Sequence, residues 1–234
     1  MRLVSPMLVA LLAFGFAVPH GLVAADETVT QTKATQAQIT PARALQILKE
    51  GNARFAAGRS LTRDYMSQVR ETALGQYPFA SIVGCIDSRV APEQVFDQGI
   101  GDIFSARIAG NFIDDDILGS LEFASKLAGS RLIVVLGHTE CGAIKGACDN
   151  VHLGNLTQML AKLRPAVDAV PDDVGPRTSK NGRFVQDVAD MNVKLGIRYI
   201  REHSPVLREM QDKGEIAIVG AMYDVSTGRV EFFQ

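Results

Sequence analysis

Four short stretches of this chain carry their apolar residues in runs rather than in strict alternation: FASIVGCI at 79–86, DIFSARIA at 102–109, RLIVVLGH at 131–138 and EIAIVGAMYD at 215–224. A strand with one wet face alternates apolar and polar residues, whereas a strand covered on both faces does not, so such runs predict the interior of a mainly parallel sheet. RVEFF at 229–233 follows a Ser-Thr-Gly turn and predicts an edge strand. Helical spacing fills the intervals at 40–58, 114–129, 156–167 and 184–203, the first opening with Thr40 as N-cap and Pro41 behind it and closing on Gly58. The segment 171–182, PDDVGPRTSKNG, reads as a surface loop. The expected class is α/β: a central, mainly parallel β-sheet flanked by α-helices, with an N-terminal helical arm and an edge strand at the C-terminus.

The first residues are of another kind. Met1-Arg2 precedes the apolar PMLVALLAFGFAV, and small residues follow at Val23 and Ala25, which is the pattern of a secretory signal peptide over 1–25. The apolar run falls short of the ~20 residues a membrane span needs, so no stable membrane insertion is expected after cleavage. The expected location is periplasmic or secreted. Residues 26–39 are polar and poor in core-forming side chains, and read as a flexible tail, leaving 40–234 as one α/β catalytic domain. A net charge of −2 over 234 residues gives no electrostatic footprint for nucleic acid.

In open α/β sheets ligands bind beyond the carboxyl ends of the strands. Cys85 lies at that end of the first run, and HTEC puts His138 and Cys141 at that end of the third. Two thiols and an imidazole on one rim match a catalytic zinc site with three protein ligands and an open fourth position. A Cys85–Cys141 disulfide, or a small buried Cys85, is the rival reading, since exported proteins spend cysteines on bridges. A phosphate-binding thiolate loop fits poorly, because only three residues separate Cys85 from Arg89 and Asp87 would repel a phosphoanion. Gly142 would let the backbone fold closely around the metal. Cys148, the third cysteine after the leader, reads as a packed, unliganded thiol.

CIDSR with HTEC resembles the signature of the β-class carbonic anhydrases, and the likeness extends through PEQVFDQGIGDIFSARIAGN, SLEFA, LIVVLGHTECGAIKGA and AIVGAMYDVSTGRVEF, essentially from residue 40 onward. The resemblance implies a zinc-dependent carbonate dehydratase, a carbon–oxygen lyase that hydrates CO2 reversibly to bicarbonate and a proton by attack of zinc-bound hydroxide. It implies Zn2+ on Cys85, His138 and Cys141, Asp87 and Arg89 as the catalytic pair, and Asp87 as a fourth ligand in a closed state only. Two thiolates cancel the charge of the dication, so the metal should be a weaker Lewis acid than one held by neutral imidazoles, and an Asp87 carboxylate accepting the hydroxide's hydrogen bond favours the ionised water.

Gln76, Phe104, Phe123 and Gly142 align with the substrate pocket. Ile82 stands where the bicarbonate-inhibited subtype carries Trp, and the chain has no Trp, which favours the plant-like, open subtype, although Phe123 replaces the Tyr usual there. The resemblance also implies a homodimer or homotetramer with sites near the subunit interface. His152 and His203 are the histidines left as proton shuttles. A heterocumulene other than CO2, such as CS2 or COS, is the alternative substrate.

Overall fold

The runs at 79–86, 102–109, 131–138 and 215–224 do become strands, each trimmed at its ends, in the computed structural model, which describes residues 29–233. They are β1 (Ala80–Gly84), β2 (Ile103–Arg107), β3 (Leu132–His138) and β4 (Ala217–Tyr223), and β5 (Val230–Phe233) follows. The sheet order is β2-β1-β3-β4-β5, parallel throughout except for the antiparallel β5. Every residue of β1 and β3 is buried, as expected of central parallel strands, while β2 alternates because it lies at an open edge.

The helices are α1 (Lys33–Gln38), α2 (Pro41–Ala56), α3 (Tyr65–Thr72), α4 (Pro92–Val95), α5 (Asp115–Glu122), α6 (Gly142–Cys148), α7 (Gly154–Ala161), α8 (Arg164–Ala169), α9 (Gly182–His203) and α10 (Pro205–Asp212). They cover the sheet in two layers. On one face Val83, Ile133 and Val135 pack with Ile144, Phe184, Val188, Val193 and Ile200 of α6 and α9; on the other Ile82, Val134, Leu136 and Ala221 pack with Ala44 and Leu48 of α2 and Val95 and Phe96. Strand residues of opposite parity thus feed two separate cores.

The approach of α2 is close. A β-carbon on Gly51 would stand 1.8 Å from the carbonyl oxygen of Phe96, a backbone atom that no rotamer change can move away. Gly51→Ala should cost about 3 kcal/mol, the upper end for overpacking, and lower the thermal midpoint by roughly 10 °C in a calorimetric scan. Asn52, next in sequence, bonds Val95 O and Gly228 O through its amide and accepts from Val230 N, tying α2 to the start of β5.

Three expectations are corrected. The stretch 26–39 is not a flexible tail where it is described: Thr32 and Thr35 form a capping box for α1, and buried Gln36 donates to the carbonyls of Pro78 and Ala128, both at 2.8 Å. It docks through these hydrogen bonds and through Ile39 against the core, and the polar composition of the rest conceals the contact. The single helix expected over 156–167 is α7 and α8, broken before Pro165, whose ring removes a helical donor and clashes with the preceding turn. The helix over 114–129 runs as α5 and then widens into a π-turn, Phe123–Leu127. The signal-peptide stretch 1–25 lies outside the described residues, among which no helix is long and apolar enough to cross a membrane.

Candidate metal centre

Parallel strands point their carboxyl ends to one rim, and the rim of β1 and β3 carries the chemistry. Cys85 follows β1 directly, His138 ends β3, and Cys141 caps α6 after a tight turn. The ligand atoms of Cys85, His138 and Cys141 all lie within 4.8 Å of one another, and all three residues are buried. All three cysteines of the described chain are unbridged. The turn between His138 and Cys141 is made by Glu140 at φ +58°, not by Gly142, whose surroundings are open: a β-carbon there would meet nothing within 4 Å. Gly142 follows Cys141 directly as the first residue of α6.

His138 is fixed by its main chain. Its Nδ1 sits 2.9 Å from Thr139 O, so this nitrogen carries the proton and Nε2 presents a lone pair. That Nε2 is buried and has no hydrogen-bond partner. An orphaned acceptor costs roughly 1–3 kcal/mol unless something fills the role of partner. An electrophile held between Nε2 and the two sulfurs does so, and two sulfurs with one imidazole nitrogen are the donor set of a catalytic zinc site, so the residues fit the metal. Thr139 is anchored in turn, its N–H donating to Tyr223 O and its hydroxyl accepting from Val225 N.

The two thiols are not equivalent. The hydrogen bond from Cys141, opposed by burial and assisted by the Gly110 N–H at 3.4 Å, holds the Cys85 thiol down at about 4. Cys141, as the donor of that bond and the more buried of the two, is pushed far above the usual thiol range. The pair therefore shares one proton, with the negative charge on Cys85. Cys148, at the end of α6, is pushed up to about 11 by burial.

Asp87 faces the cluster, its Oδ2 lying 3.9 Å from His138 Nε2. Arg89 grips it three times, with its backbone N–H and Nε on Oδ1 (3.0 and 2.9 Å) and Nη2 on Oδ2 (2.8 Å). These bonds hold the carboxyl well below its ordinary range against a smaller opposing effect of burial. Sequence reasoning missed Arg107, whose guanidinium donates to Cys85 O and Asp87 O, and Gly110, whose N–H reaches the Cys85 sulfur. Both lie in the quoted stretch DIFSARIAGN; the signal was that β2 ends on the same rim.

The other expected pocket residues are not gathered here. Phe104 pairs with Ser81, four residues before Cys85 and about 13 Å away along a strand at ~3.3 Å per residue. Phe123 lies on the π-turn, half exposed, with its ring edge-on to Phe104 at 6.2 Å. Gln76 is exposed ahead of β1, at the end away from Cys85. His152 is exposed between α6 and α7, and His203 stacks on Tyr199 at 3.9 Å.

The family profile described as carbonic anhydrase matches residues 80–230, a span that contains the whole cluster. The chain is 38% identical to a protein named carbonic anhydrase 2 of Mycobacterium tuberculosis over 193 residues, 81% of this chain and 91% of that one. It is 36% identical to a carbonic anhydrase of Mycolicibacterium smegmatis, with 82% and 92% covered. Among solved structures, a β-carbonic anhydrase of Aspergillus fumigatus superposes with a TM-score of 0.61 at 28% identity, over 82% of this chain and 90% of that one. A Coccomyxa β-carbonic anhydrase solved with acetazolamide shares the fold at a TM-score of 0.63 and 23% identity, over 80% and 85%. A parallel sheet with one cysteine, one histidine and a second cysteine meeting at its rim, matched over four-fifths of its length by these enzymes, places the chain in the carbonic anhydrase family.

Proposed function

We propose that Cys85 Sγ, His138 Nε2 and Cys141 Sγ hold one Zn2+ and that the protein hydrates CO2 reversibly to bicarbonate and a proton. The observation that carries this is the buried, unpartnered His138 Nε2 between two sulfurs, with an ionised carboxylate 3.9 Å away. Zinc bound there supplies the Lewis acidity that lets water ionise near neutral pH. The chain's own residues supply the rest. Asp87 Oδ2 accepts a hydrogen bond from the attacking water's O–H; being ionised, it has no proton to donate back, and the water's lone pair stays turned toward carbon. Arg89 occupies both carboxylate oxygens and so keeps Asp87 from becoming a ligand itself.

The same reading extends to assembly, subtype and location. Phe104 lies in the open β2 edge strand with the Phe123 ring edge-on to it, Leu127 is strongly exposed on the same π-turn as Phe123, and we place a second copy there. Gln76, Phe104 and Phe123 would then serve the partner's centre rather than their own. A Sordaria macrospora β-carbonic anhydrase of this fold (TM-score 0.60, 24% identity, 72% of this chain and 90% of that one) is described as tetrameric. Ile82, wholly buried in β1, supports the open, plant-like subtype, and the leader pattern over 1–25 supports export to the periplasm or beyond.

Stopped-flow CO2 hydration with metal analysis tests the function. About one zinc per chain and rapid hydration are expected. Turnover of CS2 without turnover of CO2 would change the substrate, and a metal-free chain with a Cys85–Cys141 bridge would remove the mechanism.

A further inference from the structure

One cation at the rim belongs neither to the Asp87–Arg89 pair nor to the three ligands. Arg107 is the last residue of β2, opposite Gly84 in the register with β1. Its Nε donates to Cys85 O at 2.9 Å and its Nη2 to Asp87 O at 2.7 Å. Both acceptors are main-chain carbonyls of the loop that presents a thiolate ligand and the carboxylate, and the fork bridges the residue between them, Ile86.

Beside Arg107, the Ile108 N–H donates to Gly84 O, the Gly110 N–H reaches the Cys85 sulfur, and Arg89 holds the Asp87 side chain. Cys85 and Val90 are buried on either side of the turn, but the β1–β2 pairing ends at Gly84 and Ile86 is 60% exposed, so apolar packing does not seat its tip. Val90 N–H also donates to Asp87 O, from the far side of the turn. A guanidinium presents rigid, coplanar donors that can span two carbonyls, whereas an ammonium is a single point of rotatable donors. We propose that Arg107 is a positioning residue of the metal centre: it holds the 85–87 main chain so that the Cys85 sulfur faces His138 and Cys141 while Asp87 is presented to Arg89. The inference rests on the zinc reading above, and its readouts are chosen to fail separately.

The test uses the zinc-loaded full chain and three variants. Arg107→Ala removes both bonds, Arg107→Lys leaves charge and reach for one, and Arg177→Ala is a matched control, because Arg177 also clamps two main-chain carbonyls, Val167 O and Val170 O, beside α8. Zinc release to a chromogenic chelator, the visible spectrum of the cobalt-exchanged protein and the thermal midpoint are measured. Loss of an outer contact to a ligand typically costs 10–100-fold in metal affinity or activity. We expect Arg107→Ala to release zinc about 10–100-fold faster with a shifted cobalt–thiolate band, Arg107→Lys to fall between it and wild type, and Arg177→Ala to release at the wild-type rate even where its midpoint drops as far.

Release from Arg107→Ala within twofold of wild type with an unchanged cobalt spectrum would overturn the inference. So would equal acceleration in Arg177→Ala, which would mean general loosening. Should Arg107→Ala fail to fold, Arg107→Lys carries the same comparison. A wild-type chain that holds no zinc would instead overturn the metal reading itself.

Discussion

Asp87→Ala is expected to lower kcat/KM for CO2 hydration by about 10³-fold while the protein keeps its zinc, a loss in the middle of the 10²–10⁴ range for removing a positioned proton acceptor. Zinc should stay because the three ligand atoms do not include Asp87. Activity should go because Asp87 Oδ2 is the carboxylate oxygen set 3.9 Å from His138 Nε2, and alanine leaves nothing there to orient the attacking water. Arg89→Ala separates position from charge. Without Arg89 the carboxyl returns upward toward its ordinary range, yet that range still lies well below neutral pH, so Asp87 remains ionised at pH 7. Any loss in Arg89→Ala at pH 7 must then come from a carboxylate free to move onto the metal. The sign of the pair's effect on stability follows the same shift: because Arg89 depresses the carboxyl, the contribution is present above the ordinary carboxylate range and fades as pH falls below it. Stopped-flow rates and zinc content of the two variants decide the matter; full activity in Asp87→Ala would remove the carboxylate from the mechanism.

The sheet was legible because burial on both faces leaves a mark that local chemistry cannot disguise: IVGC and LIVVLGH have too few polar positions to face water. The ligands were legible for a related reason, since Cys85 and His138 sit where apolar runs stop and parallel strands deliver their ends to one rim. What the sequence hid acts through the main chain or through single polar contacts. Gln36 reads as one more polar residue in a polar segment, yet its amide seats α1 against the carbonyls of Pro78 and Ala128. Arg107 reads as a charge at the end of a strand, and its role appears only once β2 is paired in register with β1. The tight turn between His138 and Cys141 holds Glu140 at positive φ, a conformation that an acidic side chain does not advertise in sequence. Phe104 and Phe123 matched a pocket by resemblance, whereas the fold of one chain places them toward the β2 edge.

Cys141→Ser should abolish both metal and catalysis: less than about a tenth of a zinc per chain after dialysis, and hydration down by at least about 10³-fold. Three ligands are the minimum that leaves a fourth position for water, and a serine hydroxyl does not ionise to replace a thiolate. Cys148→Ser is the internal control, since that buried thiol at the far end of α6 lies outside the cluster; its activity should stay within about twofold of wild type. The proton balance gives a sharper readout than activity. In the metal-free chain the Cys85 thiol is held down at about 4, chiefly by the bond from Cys141, while Cys141 is pushed far above the usual thiol range, so the two thiols share one proton. The metal-free protein at pH 7 should therefore show the ultraviolet absorbance of about one thiolate per chain, lost in Cys85→Ser and kept in Cys148→Ser. Absence of a thiolate band at pH 7 would mean that Cys85 is protonated before the metal arrives, and the unequal pair of thiols would be wrong.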